Sequence, residues 1–211
     1  MISRRDLLKQ IGIAGAAAVA PASSAPEAAA TQRPTASPPR EAPESLTAAE
    51  SDILEAISAR LIPSDAEGPG AREARAAHYI DRALAGPLSS SREAYAAGLA
   101  ALDAYARTSK GGSFARLSAA DQDAVLADVE ANRASGFTPN GTAFFTMVRA
   151  HTIEGTFSDP YYGGNADFAG WDLIGYPGVR VSVAPAEQQL NVAIKPNHKS
   201  AYDFGMFSKQ R

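Results

Sequence analysis

The sequence predicts a mainly α-helical domain of about five short helices, preceded by an export leader and linker and followed by an extended, hairpin-like tail. Three observations predict it. Apolar residues recur at helical spacing from residue 47 to about 152, capping and stop signals punctuate them at short intervals, and period-two alternation is confined to the stretch after residue 178. The 211 residues are 45% hydrophobic and 20% charged, enough for one core and without the bias of a fibrous or unfoldable chain.

The chain opens with Ser3-Arg4-Arg5-Asp6-Leu7-Leu8-Lys9, followed by an apolar run from Ile11 to Ala20 built mostly of Ala and Gly. That run is too short and too weakly hydrophobic to span a bilayer. Paired arginines ahead of a modest apolar segment read as a twin-arginine export signal, with Arg4 and Arg5 as the address and a cleavage site after Ala28-Ala29-Ala30. The signal is therefore assigned to residues 1–30 and the compartment to the bacterial periplasm. Residues 31–46, with Pro34, Pro38, Pro39 and Pro43, bury too little apolar surface to fold and are expected to be a linker.

The helical domain is expected over 47–180. Thr47-x-x-Glu50 is a capping box, after which Ile53, Leu54, Ile57 and Leu61 form one stripe before Pro63. A second helix is expected from about Ala71 to Ala85, stopped by Gly86-Pro87. Ser90-x-x-Glu93 should cap a third, with Tyr95, Leu99, Leu102 and Ala106 inward and an end near Gly111-Gly112. Ser118 and Asp121 open a fourth, facing the core with Val125, Leu126 and Val129. Asn140-Gly141-Thr142 opens a fifth carrying Phe144, Phe145, Val148, His151 and Thr152.

In the tail, 181–211, the pattern changes. Val179, Val181 and Val183 alternate with polar residues, as do Leu190, Val192 and Ile194, which predicts two short strands of a hairpin. A lone hairpin is marginal, so it must lie on the helical body or on a partner. From Arg180 to Arg211 three Lys and two Arg stand against Glu187 and Asp203, whereas the body is acidic. A basic, aromatic tail of this kind serves as an interaction arm or folds back on its own domain.

The formal charge of -3 provides no basic field for nucleic acid. The absence of cysteine excludes disulfides, thiolate metal sites, cysteine-ligated clusters and covalently attached haem on this chain. Gly68-Pro69-Gly70 lies between helices and lacks the third glycine of a dinucleotide site. Gly111-Gly112-Ser113 lacks the strand and last glycine of a nucleophile elbow. Asn165-x-Asp167 starts like a calcium loop, but Ala169 and Tyr176 stand where ligands belong.

His151 and Glu154 share one face of the fifth helix and could seed a metal or acid-base site, as in a stand-alone ferritin-like or hydrolytic protein; the alternative is a structural role at a helix end. Tyr161, Tyr162, Phe168, Trp171 and Tyr176 could line a sugar pocket, or serve equally well in an interface loop. Gly163 and Gly164 suit positive φ in a turn.

The twin-arginine start, the run "LTAAESDILEAISARLIPSDAEGPGA" and above all "FFTMVRAHTIEGTFSDPYYGGNADFAGWDLIGYPG" resemble the small subunit, also called subunit 3 or gamma, of gluconate 2-dehydrogenase. The resemblance covers roughly residues 45 to 180. It implies a non-catalytic partner of a flavin-dependent sugar or polyol dehydrogenase of the glucose-methanol-choline type. FAD would sit on the large subunit, which is exported folded with the small one, and a multihaem cytochrome c often completes such complexes. It implies no catalytic, cofactor or metal residue on this chain. The anchors expected to hold the flavoprotein are Phe157, Tyr161, Tyr162, Trp171 and Tyr176, with Tyr202, Phe204 and Phe207 second, over roughly 2,000 Å² for a permanent complex.

Overall fold

The computed structural model describes residues 42–207, and the twin-arginine pair Arg4 and Arg5, the rest of the signal and most of the linker lie outside them. Within those residues the chain is helical, with α1 at Ala48–Leu61, α2 at Ala76–Leu84, α3 at Arg92–Lys110, α4 at Ala119–Glu130, α5 at Gly141–Phe157 and a short α6 at Ala169–Ile174. The five longer ones are those the periodicity predicts.

Side-chain chemistry sets most helix starts. Thr47 and Glu50 form the reciprocal capping box, and burial, which raises the Glu50 pKa, is outweighed by the hydrogen bonds from Thr47 and Arg92, which hold it low. Ser118 accepts from the Asp121 amide, and Asn140 from that of Ala143. Gly111, in the left-handed region at φ 77°, ends α3.

Two boundaries differ from expectation. The second helix begins at Ala76 because Arg75, at φ 57°, breaks the run, leaving 71–75 as turns whose buried Ala74 carbonyl accepts from a distant amide. Ser90 does not cap α3. Residues Ser89–Ser91 form a 3₁₀ turn running straight into the helix, so the serine never takes the extended cap conformation, and Arg92 instead reaches both oxygens of Glu50.

The inward stripes merge into one core. Leu54 and Ile57 of α1, Ile80 and Leu84 of α2, Tyr95, Leu99 and Leu102 of α3, Val125 and Val129 of α4, and Phe144 and Val148 of α5 belong to a single buried cluster. Phe114 plugs the α3–α4 connection. Helix α5 packs most extensively on α2, and Gly155 permits it: a Cβ there would lie 2.9 Å from the Ala76 backbone.

The chain joins this core at residue 44. The buried carboxylate of Asp81 on α2 accepts from the amides of Glu44 at 2.7 Å, Ser45 at 3.0 Å and Leu46 at 2.7 Å, and Leu46 turns its side chain into the core.

The predicted hairpin does not form; no strand occurs among the described residues. Residues 185–188 wind into a 3₁₀ turn in which Glu187 takes both the Arg180 side chain and the Ala184 amide, so the two alternating runs never come into register. The cross-chain bonds fall instead between 177–179 and 197–199, from Val179 N to Lys199 O at 3.0 Å and from Asn197 N to Pro177 O at 3.0 Å.

Replacing Asp81 with Ala strips three amides of their acceptor. We expect a loss of about 2–3 kcal/mol in urea unfolding, where an unchanged midpoint would show that the carboxylate is not needed.

Candidate functional site

The loop after α5 is built on one buried amide. Asn165 is fully buried at φ 44°; its Oδ1 accepts from the amides of Gly170 at 2.8 Å and Trp171 at 3.2 Å, and its Nδ2 donates to Ser158 O at 2.9 Å. Its own amide donates to Gly155 O at 2.8 Å. One side chain thus binds the end of α5, the start of α6 and the loop between them. Ala166 N adds a bond to the Ala74 carbonyl left free by the turn before α2.

Between Asn165 and α6 the backbone stays left-handed at Asp167 (φ 52°) and Phe168 (φ 61°), a conformation that bulky residues adopt only when the surroundings impose it. This curl delivers the α6 amides to an acceptor five residues upstream. Of the two glycines expected at positive φ, Gly163 is so, at 94°. Gly164 is not; it is required because a Cβ would overlap the Gly155 carbonyl.

The expected anchor residues separate into three groups. Trp171 faces inward: it is 5% exposed and its indole N–H donates to Phe157 O at 2.8 Å, while Phe157 itself is half-buried. Tyr176 packs edge-on against the Trp171 ring with centroids 4.7 Å apart, and its outer side is 39% exposed. Tyr161, Tyr162 and Tyr202 gather into an outward ledge. Tyr161 stacks on Tyr202 with centroids 3.6 Å apart, and the Tyr162 and Tyr202 hydroxyls lie 2.8 Å apart, a bond that pushes the Tyr202 pKa up to about 12. Tyr161 and Tyr162 remain about half exposed with the tail in place, as does Phe207, while Phe204 is half-buried under Lys199.

The tail is latched to this loop. Asp159 caps its own turn through the Tyr161 amide and also accepts from Ser200 Oγ at 2.6 Å and Ala201 N at 2.8 Å, holding the turn that carries Tyr202. His198 stacks on Phe168 and meets Asp172 at 2.8 Å. The tail therefore folds back on its own domain through residues 197–204. Sequence reasoning missed Asn165, Asp159 and Asp172 as organisers because their partners lie outside the spacings that local capping rules describe.

His151 and Glu154 are each occupied by a tyrosine. His151 stacks on Tyr95 and its Nδ1 lies 3.0 Å from the Tyr95 hydroxyl, while the Tyr79 hydroxyl donates to Glu154 at 3.3 Å. Burial pushes the His151 pKa down, against a smaller upward pull from Glu154. Among the described residues no three His, Cys, Asp or Glu side chains cluster as a metal site. The Asn165 oxygen that a calcium loop would aim at the ion is turned onto backbone amides instead.

A family model described as Gluconate 2-dehydrogenase subunit 3 matches residues 48–178, which spans α1 through the whole aromatic loop. The chain belongs to this family. Membership as a subunit 3 implies partner subunits in a larger dehydrogenase complex. The match stops where the latched tail begins, so the loop is a family feature and the tail lies beyond it. Neither the comparison with curated proteins nor that with solved structures gave a significant match.

Substituting Asn165 with Ala leaves two buried amides unmet and should cost about 2–3 kcal/mol. Trp171→Ala opens a cavity beside α5 and should cost about 3–5 kcal/mol, so its thermal unfolding midpoint falls together with any loss of partner binding. For His151 the lowered folded-state pKa means that the folded chain binds the proton less tightly than the unfolded chain. Its neutral form carries no penalty above the ordinary value of 6.5, and stability declines as pH falls below it. In His151→Gln that part of the acid limb should disappear from pH-dependent unfolding curves, leaving the carboxylate part.

Proposed function

We propose that this chain is the non-catalytic small subunit of a periplasmic FAD-dependent dehydrogenase of the glucose-methanol-choline type. It acts on a sugar, polyol or sugar acid, and the small subunit carries the folded flavoprotein through the twin-arginine pathway and stabilises it. The observation that carries the reading is the ledge of Tyr161 and Tyr162, each about half exposed, on a loop within the family-matched residues that buried bonds hold in place, with Tyr202 of the tail packed against them. Rigid, amphipathic rings bury large area at little entropic cost, which suits them to anchor a partner.

Family membership supports the existence of partner subunits, and the Arg4-Arg5 start supports the export route. In this reading FAD lies on the flavoprotein, a multihaem cytochrome c accepts the electrons, and this chain holds no cofactor. A signal on one chain suffices for two only if they bind before translocation, so the contact must survive transit.

Tyr161→Ala with Tyr162→Ala removes two half-exposed rings together with their contacts to Tyr202 and should cost the isolated domain about 1–2 kcal/mol, well short of unfolding it. The same pair should reduce co-purification of the flavoprotein at least about tenfold. Changing Arg4 and Arg5 to Lys should retain both chains in the cytoplasm together; continued export of the flavoprotein would defeat the carrier role.

A further inference from the structure

Helix α5 opens on Asn140-Gly141, the one Asn-Gly pair in the sequence. Packing fixes both residues. The Asn140 carboxamide caps the helix, its Oδ1 accepting from the Ala143 amide at 2.8 Å. Gly141 leaves room for the end of α4, because a Cβ there would lie 2.7 Å from the Val129 carbonyl oxygen. The helix start thus sets an unhindered glycine nitrogen next to an asparagine side chain, the arrangement in which that nitrogen can displace the one in the carboxamide. The attack forms a bond from Gly141 N to Asn140 Cγ, the Gly141 amide proton passing to a solvent base. It breaks the Cγ–Nδ2 bond, and Nδ2 leaves as ammonia with a proton from water. Water then opens the succinimide ring, at Cγ to give aspartate or at the main-chain carbonyl to give isoaspartate.

A neighbouring residue restrains this reaction. The first amides of a helix have no partner within it, so the Gly141 N–H would ordinarily face solvent and be free to ionise. Here it donates to Asn132 Oδ1 at 3.0 Å in a partly buried setting. Asn132 follows α4 in the left-handed conformation, at φ 54°, with its own amide bonded to Val129 O at 3.0 Å. Asparagine tolerates that region better than most residues that carry a side chain. A nitrogen whose proton is held by an acceptor loses it less readily, and the nucleophile forms only after that bond breaks. We propose that Asn140-Gly141 is a deamidation site built into the start of α5, and that Asn132 holds it off by occupying the nitrogen that would attack. The aspartate product keeps an acceptor for the Ala143 amide. The isoaspartate product routes the main chain through an additional carbon and loses the register of the cap, on the helix whose other end leads into the aromatic loop.

The test follows conversion of Asn140 in the purified full-length chain during incubation at mildly alkaline pH, by peptide mapping that separates aspartate from isoaspartate. Asn132→Gly keeps the left-handed backbone without steric cost and removes the acceptor, and should raise the rate about five- to tenfold. Asn132→Asp keeps an acceptor on a residue that also tolerates this backbone, and should convert as slowly as the unaltered chain. Hydrogen exchange of the α5 amides from residue 145 onward should be the same in all three. Equal rates for the unaltered chain and Asn132→Gly, or an Asn132→Asp variant as fast as Asn132→Gly, would overturn the protecting role. A rise in Asn132→Gly matched by faster exchange along the whole of α5 would also overturn it, assigning the protection to the helix at large. An unaltered chain that converts as fast when folded as in urea would show that the fold restrains nothing. Absence of isoaspartate at position 140 even from the urea-unfolded chain would defeat the site itself.

Discussion

The buried amide of Asn165 couples three pieces of backbone that have no other reason to meet. A carboxamide accepts at its oxygen and donates from its nitrogen without carrying charge, and here the acceptor serves two amides of α6 while the donor serves the carbonyl of Ser158. Without that acceptor α6 has no cap, because Phe168 precedes it in a left-handed conformation and offers no side-chain bond. The Trp171 ring then has no fixed place, nor does Tyr176, which leans on it. The outward display of Tyr161 and Tyr162 depends on the same closure, since their turn is strung between Ser158 and Asn165. Placing the polar group inside and the rings outside reverses the usual order of a surface loop.

The helical body was legible in the sequence because its causes are local. Thr47-Glu50, Ser118-Asp121 and Asn140 cap within three residues, and the stripe Tyr95, Leu99, Leu102 and Ala106 reads directly as a buried face. What sequence reasoning missed is non-local. The acceptor for α6 lies five residues before it, and the break at Arg75 follows from a tight turn whose free carbonyl is taken by Ala166, far along the chain. The absence of the hairpin has the same origin: alternation marks a strand's face but not its mate, and Glu187 holds the connection in a turn that prevents the two runs from pairing. Among the candidate anchors, composition could not separate Trp171, whose indole is consumed internally, from Tyr161 and Tyr162, which face solvent.

Core and tail divide the work of shape. The matched region ends at residue 178, and the following segment is bonded back through Asp159, Asp172 and Phe168, all within that region. A common scaffold therefore carries the sockets, and the segment plugged into them supplies Tyr202 to the ledge. The two tyrosines of the loop and the one of the tail share a stacking contact and a hydroxyl contact, so neither piece presents the ledge alone.

The three amides gathered by Asp81 have a consequence for where the folded body can start. Every hydrogen bond among the described residues begins at Glu44 or later, and the carboxylate that fixes this starting point stands on α2, inside the folded body. A peptidase that severs the chain anywhere ahead of Pro43 removes none of them. A polypeptide that starts at Pro43 therefore keeps the Asp81 anchor whole.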